Sequence, residues 1–308
     1  MKKRLLIIFL IPLVSAGQNQ HIKDFKITIL STMLSDRHLG EWGFSALIEA
    51  DGQRILFDTG SRENTVLQNA KELNVDLGTI DNVFLSHNHK DHTGGLLEIK
   101  KTFPSSLSSV HVGEGIFYPR VNSSGQEHYI LSNKNSLERL GVRFLTHNKA
   151  IEIMPGLWTT GQIPRKYDEK NWSQLGKLID ENDNKIEDTI PEDQSLFFDT
   201  DKGVVVVSGC GHAGVINTLD HIMKLFPNRP IYKIIGGFHL FKLNEEKLKW
   251  TANKMKEAGV EFFVGAHCTG INATYSIRNY MDLSSKKVLI GSVGTYITKE
   301  GIFPGFME

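Results

Sequence analysis

Four side chains able to bind a metal lie within six residues in the stretch Ser86-His87-Asn88-His89-Lys90-Asp91-His92-Thr93-Gly94-Gly95. His87 and His89 are two apart, so an extended chain points both the same way. Asp91 and His92 lie beyond them and can face a second position. Neutral imidazole is a good ligand for zinc, iron, manganese or nickel, and a carboxylate adds negative charge. Gly94 and Gly95 let the backbone turn sharply under such a site. The chemistry this predicts is water activation: a bound divalent ion draws the pKa of water toward neutrality, and the resulting hydroxide attacks a carbonyl or phosphoryl centre. The expected cofactor is one or two divalent ions, zinc first, with manganese or iron as alternatives.

Other residues could serve the same chemistry. Asp58 ends an apolar run before the histidine stretch, where a carboxylate more naturally orients a ligand histidine than binds metal itself. His239 follows an apolar strand and a Gly-Gly pair, a place from which it could donate to a substrate oxygen or shuttle a proton. Asp91 could orient the attacking water as well as bind metal. Arg165, after a proline, could grip a phosphate or carboxylate bidentately. His111, His128, His147 and His221 have no such context and read as structural.

The elements that must carry these residues are legible as hydrophobic patterns. Lys26–Ser31, Phe44–Ala50 and Arg54–Asp58 read as strands, the last two joined by a hairpin signal at Asp51-Gly52. Val66, Leu67, Ala70 and Leu73 give Glu63–Asn74 helical spacing. Asp81–Ser86 is an apolar run that delivers the histidine stretch. Further strands are expected at Val142–His147, Ile151–Met154, Ser195–Asp199 and Gly203–Ser208. Beyond them helix and strand alternate: Ala213–Leu225 helical, Ile231–Ile235 extended, Asn244–Ala258 helical, then Glu261–Gly265 and Lys286–Ile290 extended. Residues 166–194 are polar and read as a long loop or insertion. Antiparallel pairs early and strand–helix alternation late predict an α/β protein of two sheets covered by helices.

The chain has 308 residues, with 35 basic and 35 acidic side chains and two cysteines. A formal charge of zero argues against a broad basic surface for nucleic acid, and two cysteines cannot build a disulfide framework. Lys2, Lys3 and Arg4, the apolar run Leu5–Val14 and the small residues up to Ala16 read as a secretory signal peptide cleaved after Ala16. The expectation is a secreted or periplasmic protein with no stable membrane anchor after cleavage, whose residues 17–308 form one domain. Cys210 and Cys268 would then meet an oxidising compartment and could pair if close.

The HxHxDH run, with Phe57-Asp58-Thr59-Gly60 before it and Thr93-Gly94-Gly95-Leu96 after it, resembles the signature of the metallo-β-lactamase superfamily. The resemblance implies an αβ/βα sandwich of two mixed sheets flanked by helices, with the site at the edge between the sheets. Glu41-Trp42-Gly43-Phe44-Ser45, Thr160 to Arg165, Glu192-Asp193-Gln194, Ser208-Gly209-Cys210-Gly211-His212, Ile235 to Leu240 and His267-Cys268-Thr269-Gly270 further resemble a branch labelled dihydropterin-ribofuranosylaminobenzene-phosphate synthase-like. By position, His267 matches the superfamily's last histidine ligand. Many members place a bridging Asp where this chain reads Gly209-Cys210-Gly211-His212, and another histidine where it reads Thr160 to Arg165. His212, at the expected start of a helix, is therefore the preferred ligand beside His87 and His89, with Cys210 the second choice. The branch also suggests Glu41 as a substrate contact.

The reading is an exported metal-dependent hydrolase of a small-molecule ester, lactone or phosphate ester. The alternatives are a pterin-type transferase or synthase, as in the branch label, and a non-catalytic sensor or binding module of the same fold.

Overall fold

The computed structural model describes residues 21–121, 128–171, 176–180 and 182–305. Residues 1–16, expected to be a signal peptide, lie outside the described residues. Among the described residues no helix is long and apolar enough to cross a membrane.

Strict alternation in the strands explains the layering. In the strand Gly203–Ser208, Val205 and Val207 face one way and Val204 and Val206 the other, and all four are buried. A strand apolar on both faces needs cover on both sides. Val205 and Val207 meet Ile27, Ile48, Phe57 and Phe84 of a facing sheet. Val204 and Val206 pack under the helices Val215–Leu225 and Glu245–Glu257 through Leu219, Ile222, Leu248 and Met255. The facing sheet repeats the arrangement: Leu47, Leu56 and Val83 point outward and lie under Val66, Ile99, Ile130 and Leu137. Helix, sheet, sheet and helix thus stack as four layers, the αβ/βα sandwich that the resemblance implies.

The first sheet has eight strands in the spatial order Ile302–Phe303, Tyr296–Thr298, Phe25–Ser31, Ser45–Ala50, Gln53–Phe57, Asn82–Phe84, Ser109–Gly113 and Arg143–His147. The second has seven, in the order Val288–Ile290, Phe262–Gly265, Ile231–Gly236, Gly203–Ser208, Leu196–Thr200, Leu157–Thr159 and Ile151–Met154. Both are mixed: Gln53–Phe57 runs parallel to Asn82–Phe84, and Gly203–Ser208, Ile231–Gly236, Phe262–Gly265 and Val288–Ile290 are successively parallel. Parallel strands share one carboxyl end, and loops leaving that end converge.

The expected strands and helices are present with ends shifted by a few residues. The polar stretch 166–194, expected to be a long loop or insertion, carries short strands. Lys177–Ile179 pairs with Lys185–Glu187 and with Arg120–Val121 in a small third sheet. Asp180 closes the hairpin by accepting from the backbone N–H groups of Asn182 and Asn184. The sheet is anchored by the buried Arg120 guanidinium, which binds Glu192 at 2.6 Å and lies 3.3 Å from Asp188. These strands are short and carry Lys and Glu on open faces, so no alternation marks them in the sequence.

Candidate metal centre

Each candidate ligand leaves the carboxyl end of a strand. Asp58 follows Gln53–Phe57, and His87 lies just beyond Asn82–Phe84. Cys210 and His212 follow Gly203–Ser208, His239 follows Ile231–Gly236 and His267 follows Phe262–Gly265. The first sheet supplies the contiguous stretch, whose Lys90–Thr93 segment coils into one helical turn that carries Asp91 and His92. The second sheet supplies residues one at a time. Asp58, His239 and His267 all take positive φ, at 52°, 51° and 46°. That region is costly for residues other than glycine, and such strain gathers at functional sites.

Two clusters result. In the first, His87 Nε2 lies 3.0 Å from His89 Nδ1 and 3.2 Å from His212 Nε2. In the second, Asp91 Oδ2 lies 3.3 Å from His267 Nε2 and 3.9 Å from His92 Nε2, and His92 Nε2 lies 3.1 Å from the Cys210 sulfur. Cys210 stands between them, close enough to His87 and His212 to share the first cluster as well. The choice between His212 and Cys210 thereby dissolves geometrically, because the two residues occupy different places. His212 precedes its helix rather than beginning it. The helix starts at Val215, and His212 sits in a turn between Gly211 and Gly214, both with positive φ.

Hydrogen bonds behind the rings assign their tautomers. Asp58 is fully buried and accepts from the Ser86 backbone N–H at 2.7 Å, the Ser86 hydroxyl at 2.8 Å and His92 Nδ1 at 2.6 Å. With its proton committed to Asp58, the Ser86 oxygen accepts from His87 Nδ1 at 2.9 Å. His212 Nδ1 donates to the Asn171 carbonyl. His87 and His212 therefore aim unprotonated Nε2 atoms at the first cluster, while the bond from Nδ1 to Asp58 fixes the orientation of the His92 ring beside the second. Gly209 makes this approach of the two halves possible, since a Cβ there would collide with the Ser86 side chain and crowd Asp58.

Electrostatics support a cation. Burial first, and then the neighbouring imidazoles, hold His87 and His212 well below the usual histidine range, and burial pushes His89 down to about 3. Lone pairs of neutral imidazoles face one another at hydrogen-bond distance with too few protons between them. Burial would also lower His92, but Asp58 and Asp91 outweigh it and hold its imidazole up at about 9. Burial alone would raise Asp91; His92, His267 and His89 instead draw it far below the carboxylate range. Both ring nitrogens of buried His267 lack a hydrogen-bond partner. Converging lone pairs, an ionised carboxylate and orphaned nitrogens make a donor set that fits one or two divalent ions.

Two sequence expectations change. Arg165 does not point at a substrate space: its guanidinium donates to the backbone carbonyls of His212, Thr189 and Ile190 and so braces the His212 turn against the insertion. Glu41 is buried and spends both carboxylate oxygens inside the protein, accepting from Ser31 Oγ at 2.7 Å, Ser61 N at 2.9 Å and Arg62 N at 3.0 Å. It secures the loop after Asp58 rather than facing outward. His239 does stand at the rim, its ring 4.9 Å from that of His212 and its Nδ1 without a hydrogen-bond partner. Cys268 and Cys210 are both reduced, with sulfurs 3.3 Å apart.

Other contributors carry no sequence signal. His128 binds the Asn88 side chain at 2.8 Å, and its ring lies 6.1 Å from that of His89. Asn171 reaches His212 through a backbone carbonyl, which no side-chain identity reveals. Trp42 packs edge-on against His267 at 4.8 Å and against Phe241 at 5.7 Å, forming an exposed aromatic wall beside the second cluster.

Comparison with known proteins agrees with this geometry. A model of the metallo-beta-lactamase superfamily matches residues 43–220. A 7,8-dihydropterin-6-methyl-4-(beta-D-ribofuranosyl)-aminobenzene-5'-phosphate synthase of Methanocaldococcus jannaschii is 31% identical over 275 residues, covering 85% of this chain and 92% of the relative. Among solved structures, Tm1679, described as a metal-dependent hydrolase of the beta-lactamase superfamily, superposes with a TM-score of 0.73 at 26% identity, covering 89% of this chain and 98% of its own. The metallo-beta-lactamase fold protein YhfI from Bacillus subtilis shares the fold, with a TM-score of 0.55 at 12% identity, 90% of this chain and 100% of its own being covered.

Proposed function

The chain belongs to the metallo-beta-lactamase superfamily, and from that premise we propose that it is an exported metal-dependent hydrolase acting on a small-molecule ester, lactone or phosphate ester. The observation that carries the reading is the convergence of the neutral His87, His89 and His212 rings with Asp91, His92, His267 and Cys210 at one end of the sandwich. His87, His89 and His212 would hold one ion, and Asp91, His92, His267 and Cys210 a second. A divalent ion held there supplies Lewis acidity toward a carbonyl or phosphoryl oxygen and makes water in contact with it acidic enough to ionise near neutral pH.

The protein's own groups do the rest. Asp58 fixes the His92 ring and, through Ser86, the His87 ring, so the donors need not reorganise when substrate arrives. Asp91 adds negative charge that favours a divalent ion and can accept a proton from attacking water. His239 holds its unpartnered Nδ1 at the rim, where it can pass a proton to a departing oxygen. Trp42 and Phe241 shield the His267 side from bulk water. Removal of residues 1–16 releases the protein outside the cytoplasm, and N-terminal sequencing of exported material beginning at Gly17 tests that part.

A synthase is the second reading, favoured by the similarity to the Methanocaldococcus jannaschii enzyme along 92% of that protein's length. The same cluster would stabilise a departing phosphate-type group while an arylamine, in place of water, attacks. The two are separated by assaying zinc-loaded protein on ester, lactone and phosphodiester panels beside a pterin diphosphate with an aminobenzene nucleophile. Metal-dependent hydrolysis supports the first reading, and condensation without hydrolysis replaces it with the second.

A further inference from the structure

His267 belongs to two places at once. Its Nε2 faces Asp91 in the second cluster, and the residue also lines a cavity of 160 Å³ walled by Met33, Leu34, Ala266, Ile271 and Ile290. Leu34 and Ile290 continue into an adjoining cavity of 300 Å³ that ends at Tyr275 and Arg278. The helix Ile271–Met281 forms one side of this path, presenting Ile271, Thr274, Tyr275 and Arg278. Those positions fall at i, i+3, i+4 and i+7, one face of a helix, so the path runs for about 10 Å from Ile271 to Arg278. Its lining is mainly apolar, with Thr32, Thr274 and Ser285 also contributing, and Met33, Ile271 and Tyr275 are all more than a third exposed without a covering segment among the described residues. At its far end Arg278 donates from Nε to the Leu283 carbonyl at 3.4 Å, and among the described residues no carboxylate pairs with it.

An apolar trough that has buried His267 of the candidate metal cluster in its wall, and that ends at a guanidinium without a carboxylate partner among the described residues, matches one kind of ligand. We propose that the substrate is an elongated molecule whose reacting bond lies at the cluster, whose alkyl or aryl arm fills the trough, and whose terminal anion is bound by Arg278. The proposal rests on the metal-dependent reading above and names its substrate class. Burying the arm strengthens binding by about fourfold per methylene, and the guanidinium fork adds a charge-assisted contact to a carboxylate or phosphate at the far end. Arg278 thereby becomes a specificity residue that touches the substrate away from the reacting bond.

Equilibrium binding tests this without any turnover. Succinate, dodecanoate and dodecanedioate are titrated calorimetrically into the zinc-loaded chain and into Arg278→Met and Arg278→Lys, each variant first matched to the parent in thermal midpoint. Each probe has one carboxylate for the cluster, and only dodecanedioate can also reach the guanidinium. The expected result is that dodecanedioate binds the parent at least about tenfold more tightly than succinate. Arg278→Met should weaken dodecanedioate by about tenfold while leaving dodecanoate and succinate unchanged, and Arg278→Lys should restore part of the loss. Equal affinity for short and long dicarboxylates, or indifference of dodecanedioate to Arg278→Met, overturns the proposal. Esters of these acids then test hydrolysis separately: a chain-length and Arg278 dependence of binding with no metal-dependent turnover keeps the trough and removes the hydrolase reading.

Discussion

The two sheets contribute to the candidate metal centre in opposite ways. The eight-stranded sheet delivers its ligands in one stretch of six residues, His87 to His92, and secures them with one buried carboxylate, Asp58, that reaches two rings. The seven-stranded sheet delivers Cys210, His212, His239 and His267 from three separate strand ends, each supported by something different. Asn171 orients His212, the Arg165 guanidinium ties its turn to the insertion, and Trp42 packs on His267. A contiguous stretch holds its geometry locally, whereas dispersed ligands depend on the register of parallel strands and on close contact between the halves. Changing Asp58, which fixes one ring of each cluster, should therefore weaken both clusters, while removing His212 or His267 should weaken one.

The largest effect should come from the loop. The double variant His89→Ala, Asp91→Ala removes one ligand from each cluster, and metal-dependent turnover should fall on the order of 10³-fold with loss of bound zinc. Full activity in that variant would contradict the assignment. Asp58→Asn comes next. It leaves every ligand in place but loosens His92 and His87 together, so zinc affinity should drop by about 10–100-fold; equilibrium dialysis showing parental affinity would mean the rings are fixed by other contacts.

Gly209→Ala tests the contact between halves. The added methyl has to displace Ser86, and overpacking of this kind costs up to about 3 kcal/mol, read as a lower denaturation midpoint accompanied by weaker metal binding. A stable variant with intact binding would show that the halves can move apart freely.

The smallest effect concerns a histidine of the first sheet outside the centre. His111 bonds His147 at 3.0 Å and Asn82 at 3.1 Å, and burial lowers it to about 4. Its folded pKa lies below the unfolded value of 6.5, so the folded state favours the neutral ring. The stability this contributes is complete above pH 6.5 and is lost as pH falls toward 4, about 2 kcal/mol by pH 5. His111→Asn should flatten that part of the stability profile, and an unchanged slope would place the acid sensitivity elsewhere.

The same contrast governs what could be read from the sequence. The loop is legible because spacing alone puts His87 and His89 on one side of an extended chain and Asp91 and His92 beyond. The strand Gly203–Ser208 and the helix Val215–Leu225 are legible because their apolar periods are strong. Ser109–Gly113 is not, since SVHVG is short and carries a buried histidine, and Tyr129–Arg139 is not, since only Ile130 and Leu137 are buried in a polar helix. Resemblance located His212, Cys210 and His267 in the sequence, but their division between two clusters is a tertiary fact. Arg165 is suggested by its place in a loop and Glu41 by the branch resemblance alone. Only the fold reveals that backbone carbonyls occupy the first, and the Ser31 hydroxyl and two backbone N–H groups the second.

In the proposed function, dispersed ligands of the second sheet complete a metal centre begun by the loop of the first. Elemental analysis of purified protein after equilibration with zinc, comparing the parent with His212→Ala and His267→Ala, tests it most directly. Each substitution should lower the zinc bound per chain while the thermal midpoint of the metal-free protein stays near that of the parent. Unchanged stoichiometry in both variants would contradict it, leaving the loop as a site that needs nothing from the second half of the fold.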